Sequence, residues 1–220
     1  MVGKFHHEEI YRGAEAVTRL GAVQLTLCGV GALGSQLADN LARQGFRQLR
    51  LIDRDRIEEH NVGTQLYGLS DVGGWKVDVL RQRLFRSTGV EVDAVQKELS
   101  PRNAASLLKG AGIVIDTFDN SDGRRTVQEQ CRSQNTPCLH VGLHADYAEV
   151  IWDAGYRVPR DVAGDVCDYP LTRNLVLLAV AIASECVVAH VLHGVDRNLS
   201  ITLRDLAVSE LPARADAGSP

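Results

Sequence analysis

The chain has 220 residues, with 24 Lys and Arg against 28 Asp and Glu, giving a formal charge of −4. That balance argues against a polyanion-binding module, so no nucleic acid is expected as partner. At 45% hydrophobic and 24% charged residues the chain falls in the globular range, which excludes wholesale disorder and supplies apolar side chains for a sizeable core. The longest apolar run, Leu175 to Ala183, is shorter than the roughly 20 residues that cross a bilayer, so no membrane span is expected. Residues 1–9 carry His and Glu where a secretory leader is apolar, and a cytoplasmic chain is expected.

Strand-length apolar runs alternate with segments of helical period. Val23 to Cys28 reads as a strand, and a glycine-rich turn follows. Leu33, Leu37 and Leu41, at four-residue spacing, then mark a helix that ends at Gly45. Leu49–Ile52 is a second strand, Val72–Phe85 a helix, Val90–Val95 a strand, and Pro101 opens a short helix. Gly112–Ile115 has buried-strand character, Arg124–Ser133 is helical, and Cys138–Val141 and Ala148–Trp152 are strands. Leu175–Leu192 is a long apolar helix and Leu199–Leu203 a closing strand. The alternation predicts an α/β fold: a Rossmann-like, doubly wound sheet, parallel in its first half and mixed or antiparallel in its second, where two strands follow without a helix. No linker or repeat divides the chain before a loose tail over 212–220.

Gly29, Gly31 and Gly34 form a G-x-G-x-x-G turn directly between the first strand and the first helix, the context in which backbone N–H groups cradle a phosphate. Asp53, at the end of the second strand and 19 residues beyond Gly34, can accept hydrogen bonds from ribose hydroxyls. These features fit NAD as well as ATP. Beyond them the loop from Asp53 to Gln65 is densely polar, Lys76 follows, and Asp116, Asp119, Asn120 and Arg124 gather at a buried strand's end. A glycine turn, a lysine and carboxylates in one crevice suit a nucleoside triphosphate with Mg²⁺ better than a nicotinamide.

The order G-x-G-x-x-G, D-x-D, N-x-x-x-Q, D-x-G-x-x-K and D-N-x-x-x-R resembles the ThiF/MoeB/HesA family, the E1-like activating enzymes of ubiquitin-type proteins and sulfur carriers. The resemblance covers roughly residues 10 to 150. It implies one E1-like adenylation domain over residues 1–211 with an N-terminal helix, acting on the C-terminal glycine carboxylate of a small carrier protein. ATP and Mg²⁺ are the implied cofactors. By the same resemblance Asp53 binds the ribose, Asn61, Gln65 and Lys76 contact the phosphates, Asp55 belongs to the nucleotide site, and Asp119 holds Mg²⁺. Asn120 and Arg124 order the strand end and the helix after it. A homodimer is implied too, with Arg12 as the arginine that reaches the partner's phosphates. The chain departs from the family pattern at Thr64, where most members carry arginine, leaving Arg12, Arg54 or Arg56 as substitutes. Adenylation and a non-catalytic E1-like scaffold both remain open on that ground, beside an NAD(P)-dependent oxidoreductase as the other enzyme class.

Cys28, Cys131, Cys138, Cys167 and Cys186 form no C-x-x-C pair, so neither a disulfide framework nor the zinc site of many family members is expected. Cys167 stands on a polar loop ahead of the long apolar helix. In that position a thiol is activated, and in thioester-forming E1-like enzymes the reactive cysteine stands similarly. Asp165 and Asp168 oppose its thiolate, and an incidental loop cysteine is the competing reading. Cys28, Cys131, Cys138 and Cys186 read as small core residues. His140 and His144, on a strand and its turn, do not share a helical face and read as core or surface groups.

Overall fold

A computed structural model describes residues 3–159 and 170–212 of the chain. Two short helices, α1 (His6–Arg12) and α2 (Ala14–Ala22), precede β1 (Gln24–Cys28), α3 (Ala32–Gln44), β2 (Gln48–Ile52) and α4 (Lys76–Thr88). Then come β3 (Val92–Val95), α5 (Ala104–Leu107), β4 (Ile113–Asp116), α6 (Ser121–Gln134), β5 (Cys138–His144) and β6 (Tyr147–Trp152). Helix α7 (Arg173–His193) and the strands β7 (Leu199–Thr202) and β8 (Ala207–Glu210) complete the fold.

All eight strands belong to one sheet in the order β3-β2-β1-β4-β5-β6-β7-β8. Pairing is parallel from β3 to β5 and antiparallel from β5 to β8, as the alternation of elements predicts. The parallel strands reverse direction of winding between β1 and β4, so a crevice opens at their carboxyl ends where α3 and α6 leave the sheet on different sides.

Side-chain alternation along the strands sorts the core into two layers. Leu25, Leu27, Leu49, Leu51, Ile113 and Ile115 pack on one face beneath α2, α3, α4 and α7, while Cys28, Ile52, Val114 and Cys138 pack with Ala104, Leu108, Val127 and Cys131 of α5 and α6 on the other. Leu37 and Leu41 of α3 are fully buried, each contributing about 1.5–3 kcal/mol by removal from water. Cys28, Cys131, Cys138 and Cys186 are buried, free thiols. Burial pushes the thiols of Cys28, Cys138 and Cys186 up, to about 11 for Cys186, which suits packing and not nucleophilic chemistry.

Three local details differ from the sequence expectation. Helix α4 starts at Lys76 and not at Val72, because Gly73 takes a positive φ of 87° and Gly74 bonds to Ile57, forming a turn ahead of the helix. Lys76 is thereby placed at the helix start, against the loop from β2. Strand β8, absent from the sequence reading, adds an antiparallel edge. Helix α7 is, by length and composition, apolar enough to cross a bilayer, a property that its longest uninterrupted run understated. In this fold half of its most apolar stretch is buried, and Ser184 accepts a 2.7 Å hydrogen bond from Asn40 of α3.

Candidate nucleotide-binding site

Each glycine of the turn answers a different requirement. Gly29 has φ +88°, a conformation that side-chain-bearing residues rarely adopt. A Cβ on Gly34 would lie 2.0 Å from the Gly29 carbonyl oxygen, so only glycine lets α3 seat on the turn. Gly31 has neither constraint: the nearest atom to a Cβ there is Gln65 Nε2 at 3.9 Å. The missing side chain leaves open space beside the start of α3, whose N-terminus is capped by no side chain and whose N–H groups favour an anion.

The elements around this space are tied together. Tyr67, 4% exposed, donates from its hydroxyl to the carbonyls of Val30 (2.8 Å) and Lys76 (3.3 Å), joining the turn to α4. Ser35 accepts from the N–H of Leu66 at 3.0 Å, which holds the loop carrying Gln65 over α3. Thr117 donates to the carbonyls of Cys28 and Gly29, closing the turn from the β4 side. Gln65 Oε1 is buried without a hydrogen-bond partner, an orphaned acceptor that a ligand donor or water would satisfy.

Asp53 is buried and already engaged: its oxygens accept from the N–H groups of Val30 and Asp55, both at 2.8 Å. Burial raises its pKa, against the opposing pull of Lys76 and these N–H bonds. Its remaining lone pairs are what a ribose can use. Asp55 forms a 3.1 Å ion pair with Lys76 Nζ, so both lie at the same rim. Asn61 is buried and caps the 3-10 turn over residues 59–63, its Oδ1 accepting from the Glu58 N–H at 2.9 Å. Its carboxamide NH₂ is the group left for a ligand.

At the end of β4 the two carboxylates part company. Asp116, expected at the crevice, is instead fully buried and bonded to His140 Nδ1 (2.8 Å), Arg124 (3.4 Å) and the Phe118 N–H (3.1 Å). Burial raises its pKa, but Arg124 and His140 outweigh this and hold the carboxyl below its ordinary range. Asp119 is exposed, contacted by Asn120 Nδ2 at a long 3.4 Å, and free of ion pairs among the described residues. Asn120 caps α6 by accepting from the Gly123 N–H at 2.7 Å. An exposed carboxylate without an ion pair among the described residues suits Mg²⁺, which keeps waters and takes one or two carboxylates plus phosphate oxygens. Among the described residues no cluster of three His, Cys, Asp or Glu could hold a metal by itself.

Behind this edge lies a polar network that the sequence reading did not assemble. Arg124 donates to the Tyr156 hydroxyl and the Val141 carbonyl, each at 3.0 Å, and His140 stacks on Tyr156 with ring centroids 3.7 Å apart. Asp153 accepts from Gln128 and Arg132 and lies 3.4 Å from His140 Nε2, an ion-pair distance without hydrogen-bond alignment. His140 is thus a core histidine held through Nδ1 by Asp116, with Nε2 buried and without a hydrogen-bond partner. Its burial disfavours the charge, Asp116 and Asp153 more than offset that, and the imidazole pKa is raised. The network fixes the start of α6, and Ser121 donates to the Pro159 carbonyl at 2.6 Å where the chain enters residues 160–169. Cys167 lies outside the described residues.

The substitutes for a cation at Thr64 are engaged elsewhere. Arg54 pairs with Glu98 at 2.6 Å, and Arg56 stacks on Trp75 while donating to the Gly73 carbonyl. Arg12 is held by Glu8 and by a two-pronged contact to Glu185 of α7, so phosphate binding by Arg12 requires exchange of those carboxylates.

A parallel sheet with a glycine turn at its switch point and a mixed far edge defines an E1-like, Rossmann-type domain. The ThiF family model matches residues 7–152, and the chain belongs to the ThiF family. It is 28% identical over 156 residues to the sulfur carrier protein ThiS adenylyltransferase of Bacillus subtilis, covering 67% of this chain and 46% of that protein. It is also 28% identical over 131 residues to the tRNA threonylcarbamoyladenosine dehydratase of Haemophilus influenzae, covering 58% of this chain and 50% of that one. The chain therefore spans about half the length of these relatives. Escherichia coli MccB, crystallised with ATP, shares the fold with a TM-score of 0.80 over all of this chain and 73% of its own, at 17% identity.

Two outcomes follow from this geometry. Gly34→Ala should lower stability by about 3 kcal/mol or more because the methyl meets a backbone carbonyl, whereas Gly31→Ala should leave the melting temperature unchanged and weaken nucleotide binding. Melting curves and equilibrium dialysis of both variants check this. His140 gains its proton's partners on folding, so its contribution is fully present below about pH 6.5 and is lost as pH rises through the raised folded value. His140→Gln should flatten the pH dependence of thermal stability above neutrality, measured by melting at stepped pH.

Proposed function

We propose that the chain is an ATP- and Mg²⁺-dependent adenylyltransferase that activates the C-terminal glycine carboxylate of a small ubiquitin-like or sulfur-carrier protein. The observation that carries this reading is the open space at Gly31 beside the uncapped start of α3, with Lys76 and the exposed Asp119 at strand ends of the same sheet. Similarity to the ThiS adenylyltransferase and to the adenylyltransferase and sulfurtransferase uba4 of Pyricularia oryzae supports it. The tRNA dehydratase relative is the competing case, and the acidic balance of this chain favours a protein substrate over RNA.

In this reading Asp53 receives the ribose and the N–H groups at the start of α3 receive the phosphates. A carboxylate oxygen of the carrier attacks the α-phosphorus in line. The acyl-adenylate forms as the bond to the β-phosphate oxygen breaks, and pyrophosphate leaves with that electron pair. Lys76 exchanges part of its contact with Asp55 for phosphate, so catalysis rests on positioning and preorganised charge. Mg²⁺ held by Asp119 supplies charge neutralisation on the polyphosphate. Cys167 is the proposed acceptor in a following step: its thiolate sulfur attacks the acyl carbonyl carbon, a thioester forms and AMP leaves. A homodimer, in which Arg12 reaches the neighbouring site, belongs to the same proposal, as does a cytoplasmic setting.

Asp119→Ala is expected to reduce carrier-dependent ATP–pyrophosphate exchange by about 100-fold or more with an unchanged melting curve. Exchange at the wild-type rate would sink the adenylation reading. Cys167→Ala should retain exchange but yield no thioester with the carrier on non-reducing gels, and a persisting thioester would remove Cys167 from the pathway.

A further inference from the structure

The charges around the crevice do not balance for a polyphosphate. Among the described residues Asp53, Asp55, Asp116 and Asp119 stand against Lys76, Arg54 and Arg124, and each of those cations is paired with one of the aspartates. Arg54 is also paired with Glu98, and Arg56 stacks on Trp75. Like Arg56, Arg173 has no carboxylate partner among the described residues; it is the exposed first residue of α7, and its Nη1 lies 3.4 Å from the Thr64 carbonyl.

That carbonyl places Arg173. Thr64 O also receives Gln36 Nε2 of α3 at 3.4 Å, and the next residue, Gln65, overhangs Gly31. The arginine therefore crosses, from an element 109 residues distant, onto the loop that roofs the start of α3. Its contact is long for a charged donor, which ordinarily sits at about 2.7–2.9 Å, and it is a single contact of the five-donor fork among the described residues. The position is also electrostatically adverse. The 21-residue helix α7 has no acidic residue in its first turn and no side-chain cap, so its positive end faces a positive side chain. An anion between Arg173, this helix end and the start of α3 removes that repulsion.

We propose that Arg173 is a phosphate-binding residue of this site, supplying from α7 the guanidinium that Thr64 does not provide for the nucleotide's polyphosphate tail. The proposal rests on the adenylation reading above and deepens it. It assigns Arg173 to the β- and γ-phosphates, beyond the reach of a monophosphate.

The test measures Mg²⁺–ATP and AMP binding to the full chain by calorimetry, with melting curves as the folding control. Arg173→Gln should weaken ATP binding about tenfold or more while changing AMP binding less than about twofold, the size expected for a lost charged hydrogen bond. Arg173→Lys should retain part of the ATP affinity, and Thr64→Arg placed in the Arg173→Gln background should recover it. Unchanged ATP affinity in Arg173→Gln overturns the proposal. So does an equal loss for ATP and AMP without rescue by Thr64→Arg, the pattern of a side chain that only holds the loop. Wild-type protein that binds neither nucleotide overturns the adenylation reading itself, and the role of Arg173 falls with it.

Discussion

The contact between the start of α3 and the carbonyl of Gly29 governs the rest of the structure. A helix that leaves β1 at this range must lie flat on the sheet, which buries Leu37 and Leu41 and directs its N–H groups at the strand ends. Only hydrogen at position 34 permits the approach. Thr117 and Tyr67 then fasten the turn from opposite sides, one from β4 and one from the loop before α4. The geometry that packs the core is thus the geometry that presents the uncapped start of α3 beside Gly31.

Around that contact the polar residues divide by burial. Asp116, Arg124 and His140 form a closed network in which each charge meets an opposite one, as buried charges must. Asp119, three residues beyond Asp116 and past the strand end, is left in solvent without an ion pair among the described residues. Network and site therefore act in series: the buried charges hold the start of α6, and α6 with its Asn120 cap holds the segment from which Asp119 projects. The Tyr156 and Ser121 contacts extend the same support toward the segment bearing Cys167.

Most of the fold was legible because its elements repeat one local logic. The strands β1, β2 and β4 run into Gly29, Asp53 and Asp116, and the helices α3, α4 and α7 end at Gly45, Gly89 and Gly194 in the left-handed conformation. The start of α4 was misread because Val72 fits a helical period, while the positive φ of Gly73 and the Ile57 contacts that fix the turn are non-local. Asp116 was misread for a related reason. A carboxylate at a strand end looks alike in sequence whether it faces the crevice or turns inward to a histidine 24 residues away.

The sequence by itself determined the glycine turn, the parallel order of the first strands and the strand-end placement of Asp53 and Asp116, since each depends on neighbours within a few positions. Only the tertiary structure decided which charges are used up. It paired Arg12 with Glu185, Arg54 with Glu98 and Asp116 with His140, and it brought Arg173 onto the carbonyl of Thr64. Charge pairing is a property of distance in space, and the sheet brings together side chains that no spacing along the chain connects.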